Sequence, residues 1–152
     1  MKKAVFKLEP GNMSEELKIG KMKFPLDRMY SREHIWAKKR GNKVRLGLDS
    51  FLIENAGFLN YISIDKKEVK KGDNIGNFES AKFVSNIVSP ISGEIVKINE
   101  KVITNPSEVN KKPYQSWIVE VEVSDKEDFG ELISDENMLK KFIKEEIKKM
   151  EA

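Results

Sequence analysis

The chain has no cysteine, and that absence closes several routes at once. Without thiols there is no disulfide, no cysteine nucleophile and no cysteine-ligated zinc. Histidine is nearly as scarce. His34 is the only one, and a lone imidazole without clustered carboxylates builds no catalytic metal centre. Beside Ile35 and Trp36 it reads as a packed or hydrogen-bonded structural residue. No apolar run approaches the roughly 18–20 residues that span a bilayer. The opening Met1-Lys2-Lys3-Ala4-Val5-Phe6-Lys7 lacks the apolar core and small-residue cleavage site of a secretory signal, so a cytoplasmic location without membrane contact is expected. Neither sign of charge dominates: Lys+Arg number 28 and Asp+Glu 25, a net +3. A nucleic-acid binder usually clusters its cations on one face, and these are spread along the chain. Phosphate-cradling and dinucleotide-binding glycine motifs are also missing, because Gly72-Asp73-Asn74-Ile75-Gly76 reads as a turn followed by a strand. Any redox chemistry done here belongs to a group attached to the chain.

What is present is the composition of a soluble domain. Its 152 residues are 35% charged and 39% hydrophobic, enough for one domain with its own core. Residues 1–24 read as an extension broken by Pro10-Gly11-Asn12, with partial order at best. Ser14-Glu15-Glu16-Leu17 there is able to start one helical turn. The domain is expected over residues 25–152.

From Val44 the pattern is that of strands. Val44, Leu46 and Leu48 alternate with Arg45 and Gly47. Asp49-Ser50 then offers an N-cap for a short helix over Phe51–Ala56 that ends at Gly57. Further strands are predicted over 61–64, 75–79, 83–88, 94–98 and 117–123, the last with Trp117, Val119, Val121 and Val123 on one face. Trp36 and Trp117 are expected in the core, and Pro90 in a turn. The tail changes period. Ser134-Asp135 caps a predicted helix whose Leu139, Phe142, Ile143, Ile147 and Met150 form one stripe, with acids early and lysines late to suit its dipole. Short strands separated by Gly, Pro and Asn turns indicate an all-β antiparallel barrel or sandwich with that helix packed on it.

One lysine stands apart by its surroundings. Glu79-Ser80-Ala81-Lys82, followed by Ser89-Pro90-Ile91-Ser92-Gly93-Glu94-Ile95, reads as two short strands with Lys82 at or near the turn between them. A lysine held that way suits enzymatic acylation, since a modifying ligase needs a protruding amine in a recognisable shape. The plain alternative, an ordinary solvated lysine, is strong for any single lysine in a chain with this many of them. The context on both sides decides against it.

These residues resemble the lipoyl-attachment region of the H-protein family of the glycine cleavage system, where Glu-Ser-Val/Ala-Lys precedes Pro-Val/Ile-Ser-Gly-Glu. Tyr30-Ser31-Arg32-Glu33-His34-Ile35-Trp36 is similar to that family's Tyr-(Ser/Thr)-x-x-His-Glu-Trp, with one extra residue before the histidine. Gly47-Leu48-Asp49-Ser50-Phe51, Lys71-Gly72, Asn105-Pro106-Ser107-Glu108-Val109-Asn110 and Pro113-Tyr114-Gln115-Ser116-Trp117-Ile118 also resemble family segments, in order, from about Tyr30 to the C-terminus. The resemblance implies a lipoyl-domain fold, a barrel-sandwich hybrid with a short internal helix and a C-terminal helix. It implies lipoate bound covalently to Lys82, with Glu79, Ser80 and Ala81 as the recognition sequence around it. Simpler lipoyl and biotinyl domains are shorter and set the lysine in other tripeptides, so biotin is disfavoured.

A carrier rather than an enzyme is therefore implied, loaded by a lipoate ligase or lipoyl transferase. It would take an aminomethyl group from glycine decarboxylase and present it to aminomethyltransferase, which passes the one-carbon unit to tetrahydrofolate. Dihydrolipoyl dehydrogenase would then reoxidise the arm. The chain departs from the pattern in places. Ile35 stands where the family has an acid, Asn86 where it has an aspartate four residues beyond the lysine, and Lys112 precedes Pro113 with one residue missing. Loss of both acids leaves two alternatives open beside glycine cleavage. One is an H-like lipoate-binding protein serving sulfur oxidation with a heterodisulfide-reductase-like complex, in which the cargo is neutral or anionic. The other is a non-lipoylated scaffold or regulatory module. Glu33 is a candidate to compensate for the missing acids.

Overall fold

The computed structural model describes residues 15–151. Along them run β1 (Glu16–Ile19), β2 (Met22–Pro25), β3 (Met29–Tyr30), β4 (Ile35–Arg40), β5 (Lys43–Leu48), α1 (Ser50–Ala56), β6 (Leu59–Ile64), β7 (Glu68–Val69), β8 (Asn74–Ser80) and β9 (Val84–Val88). Then come β10 (Gly93–Ile98), α2 (Glu100–Thr104), α3 (Ser107–Lys111), β11 (Val119–Val123), a 3-10 turn at Lys126–Glu131 and α4 (Glu136–Glu151). None of the described helices is long and apolar enough to cross a membrane.

The fold is all-β, with two antiparallel sheets enclosing a core. The larger runs β3-β4-β5-β11-β10-β7 and the smaller β6-β8-β9. Alternation sorts their faces. Val44, Leu46 and Leu48 of β5 and Val119 and Val121 of β11 are buried in one cluster with Ile62, Ile75, Phe78 and Ile87 of the smaller sheet. The expected cap is present: the Asp49 carboxylate accepts a hydrogen bond from the Leu52 backbone N–H at 3.0 Å. Gly57, at φ 78°, ends α1 in a backbone conformation that side chains with a Cβ rarely adopt.

A second apolar cluster covers the other face of the β3–β4 end. Trp36, Tyr30, Phe24, Leu17 and Phe51 are buried there with Leu139, Phe142 and Ile143 of α4. The Trp36 ring lies so close to β5 that a Cβ at Gly47 would come within 2.5 Å of its carbons, so only glycine admits the indole. Arg28 stacks its guanidinium 4.6 Å from the Trp36 ring centre and 5.4 Å from that of Tyr114.

Three sequence expectations change here. Glu16 and Leu17 start no helical turn, because residues 16–25 form a hairpin through the two-residue turn Gly20-Lys21. Leu17 pairs with Phe24, and both are buried against the second cluster. The part of the extension that is described therefore shares the domain's core, while residues 1–14 lie outside the described residues. The reason is tertiary, since two apolar residues on one hairpin face gain more by covering α4 than one frayed helical turn would gain. Trp117 leaves the face of Val119 and Val121, because β11 begins at Val119 and the indole packs beside the second cluster under Arg45. Met150 falls off the end of the α4 stripe and is 61% exposed.

Candidate functional site

The hairpin of β8 and β9 places Lys82. Glu79 pairs with Val84 across the hairpin, and the Ser80 N–H donates to the Phe83 carbonyl at 3.0 Å, leaving Ala81 and Lys82 at the tip. One side chain holds that tip in shape. The Ser80 hydroxyl oxygen accepts from the backbone N–H of Lys82 at 3.1 Å and of Phe83 at 3.3 Å, a local side-chain turn of the kind serine favours. Ala81, Lys82 and Phe83 are exposed, while Glu79 and Ser80 are half-buried. No carboxylate among the described residues pairs with the Lys82 amine at ion-pair distance. The Lys82 side chain leans toward the turn after α1, where its Cε would lie 3.9 Å from a Cβ at Gly57.

Ser80→Ala is expected to loosen this tip. It removes an acceptor shared by two exposed N–H groups that water then satisfies, so the cost to stability is about 1 kcal/mol or less. The larger response is expected in hydrogen exchange at the Lys82 and Phe83 amides, which should accelerate while those of β5 and β11 stay protected.

The structure does not bring Ile35 and Asn86 together. Ile35 is 2% exposed inside the main core, opposite Leu48 on β5. Asn86 is exposed on β9, paired with Asn77. Glu33, the candidate to compensate, is exposed at the rim of a hollow shared with Arg32, Lys71, Val88, Pro90 and Glu131. That hollow adjoins the end of β9 away from Lys82.

His34 is buried as expected, but its partners were not legible. Its Nδ1 lies 3.0 Å from the Asp49 carboxylate and its Nε2 2.7 Å from that of Glu146, which α4 supplies from 112 positions away. The ring is stacked between Phe51 and Phe142, with centroids 4.6 and 5.3 Å away. With a carboxylate at each nitrogen both must donate, so the arrangement is complete only for the imidazolium. Burial by itself would lower the His34 pKa. The hydrogen bonds and charges of Asp49 and then Glu146 outweigh it and raise the pKa above its ordinary value. For Glu146, burial pulls upward, but the hydrogen bonds from His34 and Lys149 win and hold the carboxyl below its usual range. The cluster ties the N-cap of α1, the start of β4 and α4 into one unit. Among the described residues there is no group of three or more acids and imidazoles placed to hold a metal.

Sequence reading missed a patch beside Lys82. Phe58, Tyr61 and Val84 are 73%, 50% and 63% exposed and Phe83 39%. Tyr61 and Val84 both pair with Glu79, one from each side, so the three share one row on the outer face of the smaller sheet. The signal was available in Tyr61-Ile62-Ser63-Ile64, where alternation sends Tyr61 to the face opposite the buried Ile62.

Comparison with known proteins covers most of this architecture. Residues 28–146 match the family profile described as glycine cleavage H-protein. The glycine cleavage system H protein of Oceanobacillus iheyensis is 36% identical over 119 residues, covering 76% of this chain and 94% of that protein. That of Carboxydothermus hydrogenoformans is 38% identical over 125 residues, covering 80% and 95%. The crystal structure of a glycine cleavage system H protein from Mycobacterium marinum superposes with a TM-score of 0.61 at 29% identity, over 70% of this chain and 97% of that one.

Proposed function

The chain belongs to the glycine cleavage H-protein family, and from that premise we propose that it is a carrier, not a catalyst, with lipoate attached covalently at Lys82. The observation that carries this reading is an exposed lysine at the tip of a two-stranded turn that Ser80 pins. The residues present fit the group. An amide at Nζ needs an uncrowded amine, and among the described residues no acid lies at ion-pair distance from the Lys82 amine.

The lipoyl group supplies a disulfide that opens to carry cargo on sulfur and closes again on oxidation. The chain's own part is mechanical. β8 and β9 hold the attachment point, and Ser80 fixes the direction in which Lys82 leaves the tip. A flexible arm on a rigid base turns each handover into an encounter at high effective concentration, without free diffusion of the cargo. The enzymes it serves on this reading are glycine decarboxylase, aminomethyltransferase and dihydrolipoyl dehydrogenase, after a lipoate ligase or lipoyl transferase has loaded it.

Incubation with lipoate ligase, ATP and lipoate tests the first half: intact mass should rise by one lipoyl group. Exposure of the loaded protein, with its arm in the disulfide form, to glycine decarboxylase and glycine tests the second, since the disulfide that opens to take the aminomethyl group also accepts the two electrons. Failure to take up an aminomethyl group would move the H-like redox carrier ahead.

That second reading draws on Ile35 and Asn86. An acid restored at position 35 would enter a site only 2% exposed, where an unpaired charge is costly. Asn86 is exposed, so the acid is easily restored there. Asn86→Asp is expected to improve acceptance of a cationic cargo about two- to threefold, the effect of an exposed charge pair of about 0.5 kcal/mol. An unchanged KM for the aminomethyl-loaded protein as substrate of aminomethyltransferase would count against a cationic cargo passing that face.

A further inference from the structure

The side chain of Asn110, on α3, spans the turn between α1 and β6. The Leu59 N–H donates to its Oδ1 at 2.9 Å, and its Nδ2 donates to the Gly57 carbonyl at 2.8 Å. One amide thus meets the donor on one side of Phe58 and the acceptor on the other, as a neighbouring strand would. A carboxylate there would accept but could not donate. The clamp is anchored at both ends, because Leu59 and Val109 are buried in the main core. The Gly57 N–H is tied as well, donating to the Ile53 carbonyl. With both neighbours held, Phe58 projects outward and is 73% exposed, the most of any large apolar side chain among the described residues. The stem of Lys82 lies against the same turn, its Cε 3.9 Å from the position of a Cβ at Gly57.

We propose that Asn110 is a positioning residue for the loading of Lys82: it holds Phe58 out beside the amine as a contact for the enzyme that brings the activated acyl group. This rests on the lipoyl-carrier reading. The chemistry of loading selects the partner. Nζ, having given its ammonium proton to solvent, attacks the carbonyl carbon of an acyl adenylate. The C–N bond forms and the bond from that carbon to the phosphate oxygen breaks. AMP leaves with the electron pair, and the surplus amine proton passes to solvent. The acyl adenylate has to reach Nζ itself, so the enzyme that holds it covers the turn against which the Lys82 stem lies. Enzymes that act later work on sulfur at the far end of the arm and need not touch that turn. An exposed aromatic ring is an efficient anchor in such a contact, since it buries a large area for little lost side-chain freedom. On a loose turn part of that gain would go into ordering the backbone. The Asn110 clamp orders it beforehand.

The test follows loading of the full chain by lipoate ligase with ATP and lipoate. Intact mass gives initial rates across carrier concentrations, and peptide mapping confines the count to Lys82. Phe58→Ser changes an exposed side chain, so it should fold. It should raise the KM for the carrier about tenfold with kcat little changed. Asn110→Asp keeps the acceptor but loses the donor to Gly57, and should raise KM about fivefold, the weight of one lost hydrogen bond. Asn110→Ser is too short to span the turn and adds no charge, so it should do at least as much and stands in if Asn110→Asp does not fold. Hydrogen exchange at the Leu59 amide should accelerate in it. The double variant separates positioning from plain stability: Asn110→Ser should add nothing in a Phe58→Ser protein, because it acts through that ring. An unchanged KM in Phe58→Ser would overturn the proposal, and so would additive effects of the two changes. A KM rise of the same size for dihydrolipoyl dehydrogenase acting on the loaded protein would overturn the assignment to the loading enzyme. Absence of any adduct on the unmutated protein would instead overturn the carrier reading, and this one with it.

Discussion

Lys82→Arg is expected to melt with the unmutated protein and to gain no mass with lipoate ligase, ATP and lipoate. The two halves have separate causes. Lys82 is exposed at the hairpin tip and makes no ion pair among the described residues, and substitutions of that kind usually stay within about 0.5 kcal/mol of neutral. The backbone bonds of Lys82 and Phe83 to the Ser80 hydroxyl do not depend on the side chain. Chemically, the change is complete. An arginine guanidinium stays protonated and delocalised at any physiological pH, so it offers no lone pair to an activated acyl group. The effect is the difference between one adduct and none. Peptide mapping guards the result, because the chain has many other lysines and an adduct elsewhere would relocate the site. A lipoylated Lys82→Arg protein would sink the assignment of Lys82.

The second large effect is expected at His34. His34→Ala leaves the fully buried Asp49 carboxylate with only the Leu52 N–H as partner, and removes the link from α4 through Glu146. Breaking one partner out of a buried pair costs about 3–5 kcal/mol, or a fall in Tm of about 10 °C for a chain of this length. Part of that comes from the backbone, because His34 sits at φ 69°. His34→Asn separates the two, since asparagine tolerates that conformation better than alanine but carries no charge. A His34→Asn protein as stable as the original would show that the ion pairs contribute nothing.

The same cluster sets a direction for pH. The folded His34 pKa is raised above its ordinary 6.5, so its contribution is full below about that value and is lost as pH climbs through the raised one. The folded Glu146 pKa is lowered from 4.5, so its contribution is present above that value and is lost as acid titrates it through the lower one. Both describe one shared interaction, not two to be summed. Stability from this source is therefore greatest between about pH 4.5 and 6.5 and declines on the alkaline side. Chemical denaturation across pH should show that decline, and His34→Asn should flatten it. A decline that persists in the variant would place its origin elsewhere.

Much of the molecule was legible because its signals are local. Val44, Leu46 and Leu48 mark a strand by alternation, Asp49 and Gly57 bracket α1 by their cap chemistry, and Asp135 accepts from the Met138 N–H to start α4 as its position suggested. Lys82 reads as a turn residue for the same reason, since Ser80, Ala81 and Lys82 interrupt one strand pattern and Val84 resumes another. Each of these needs only the residues on either side.

The rest depended on what packs over what. Period-two alternation says that Tyr61 and Ile62 point oppositely, yet only the second sheet decides that Ile62 is covered and Tyr61 left in solvent beside Lys82. Leu17 and Phe24 are too few to declare a core strand until α4 lies across them. His34 meets Asp49 because β4 and the cap of α1 lie side by side, and meets Glu146 only because α4 returns over the sheet from 112 residues away. The chain alone determined the alternating strands from Val44 onward, the caps of α1 and α4 and the turn that presents Lys82. The tertiary structure decided which faces are buried, which charges meet and what surface surrounds that lysine, because burial and ion pairing belong to neighbours in space that sequence order does not specify.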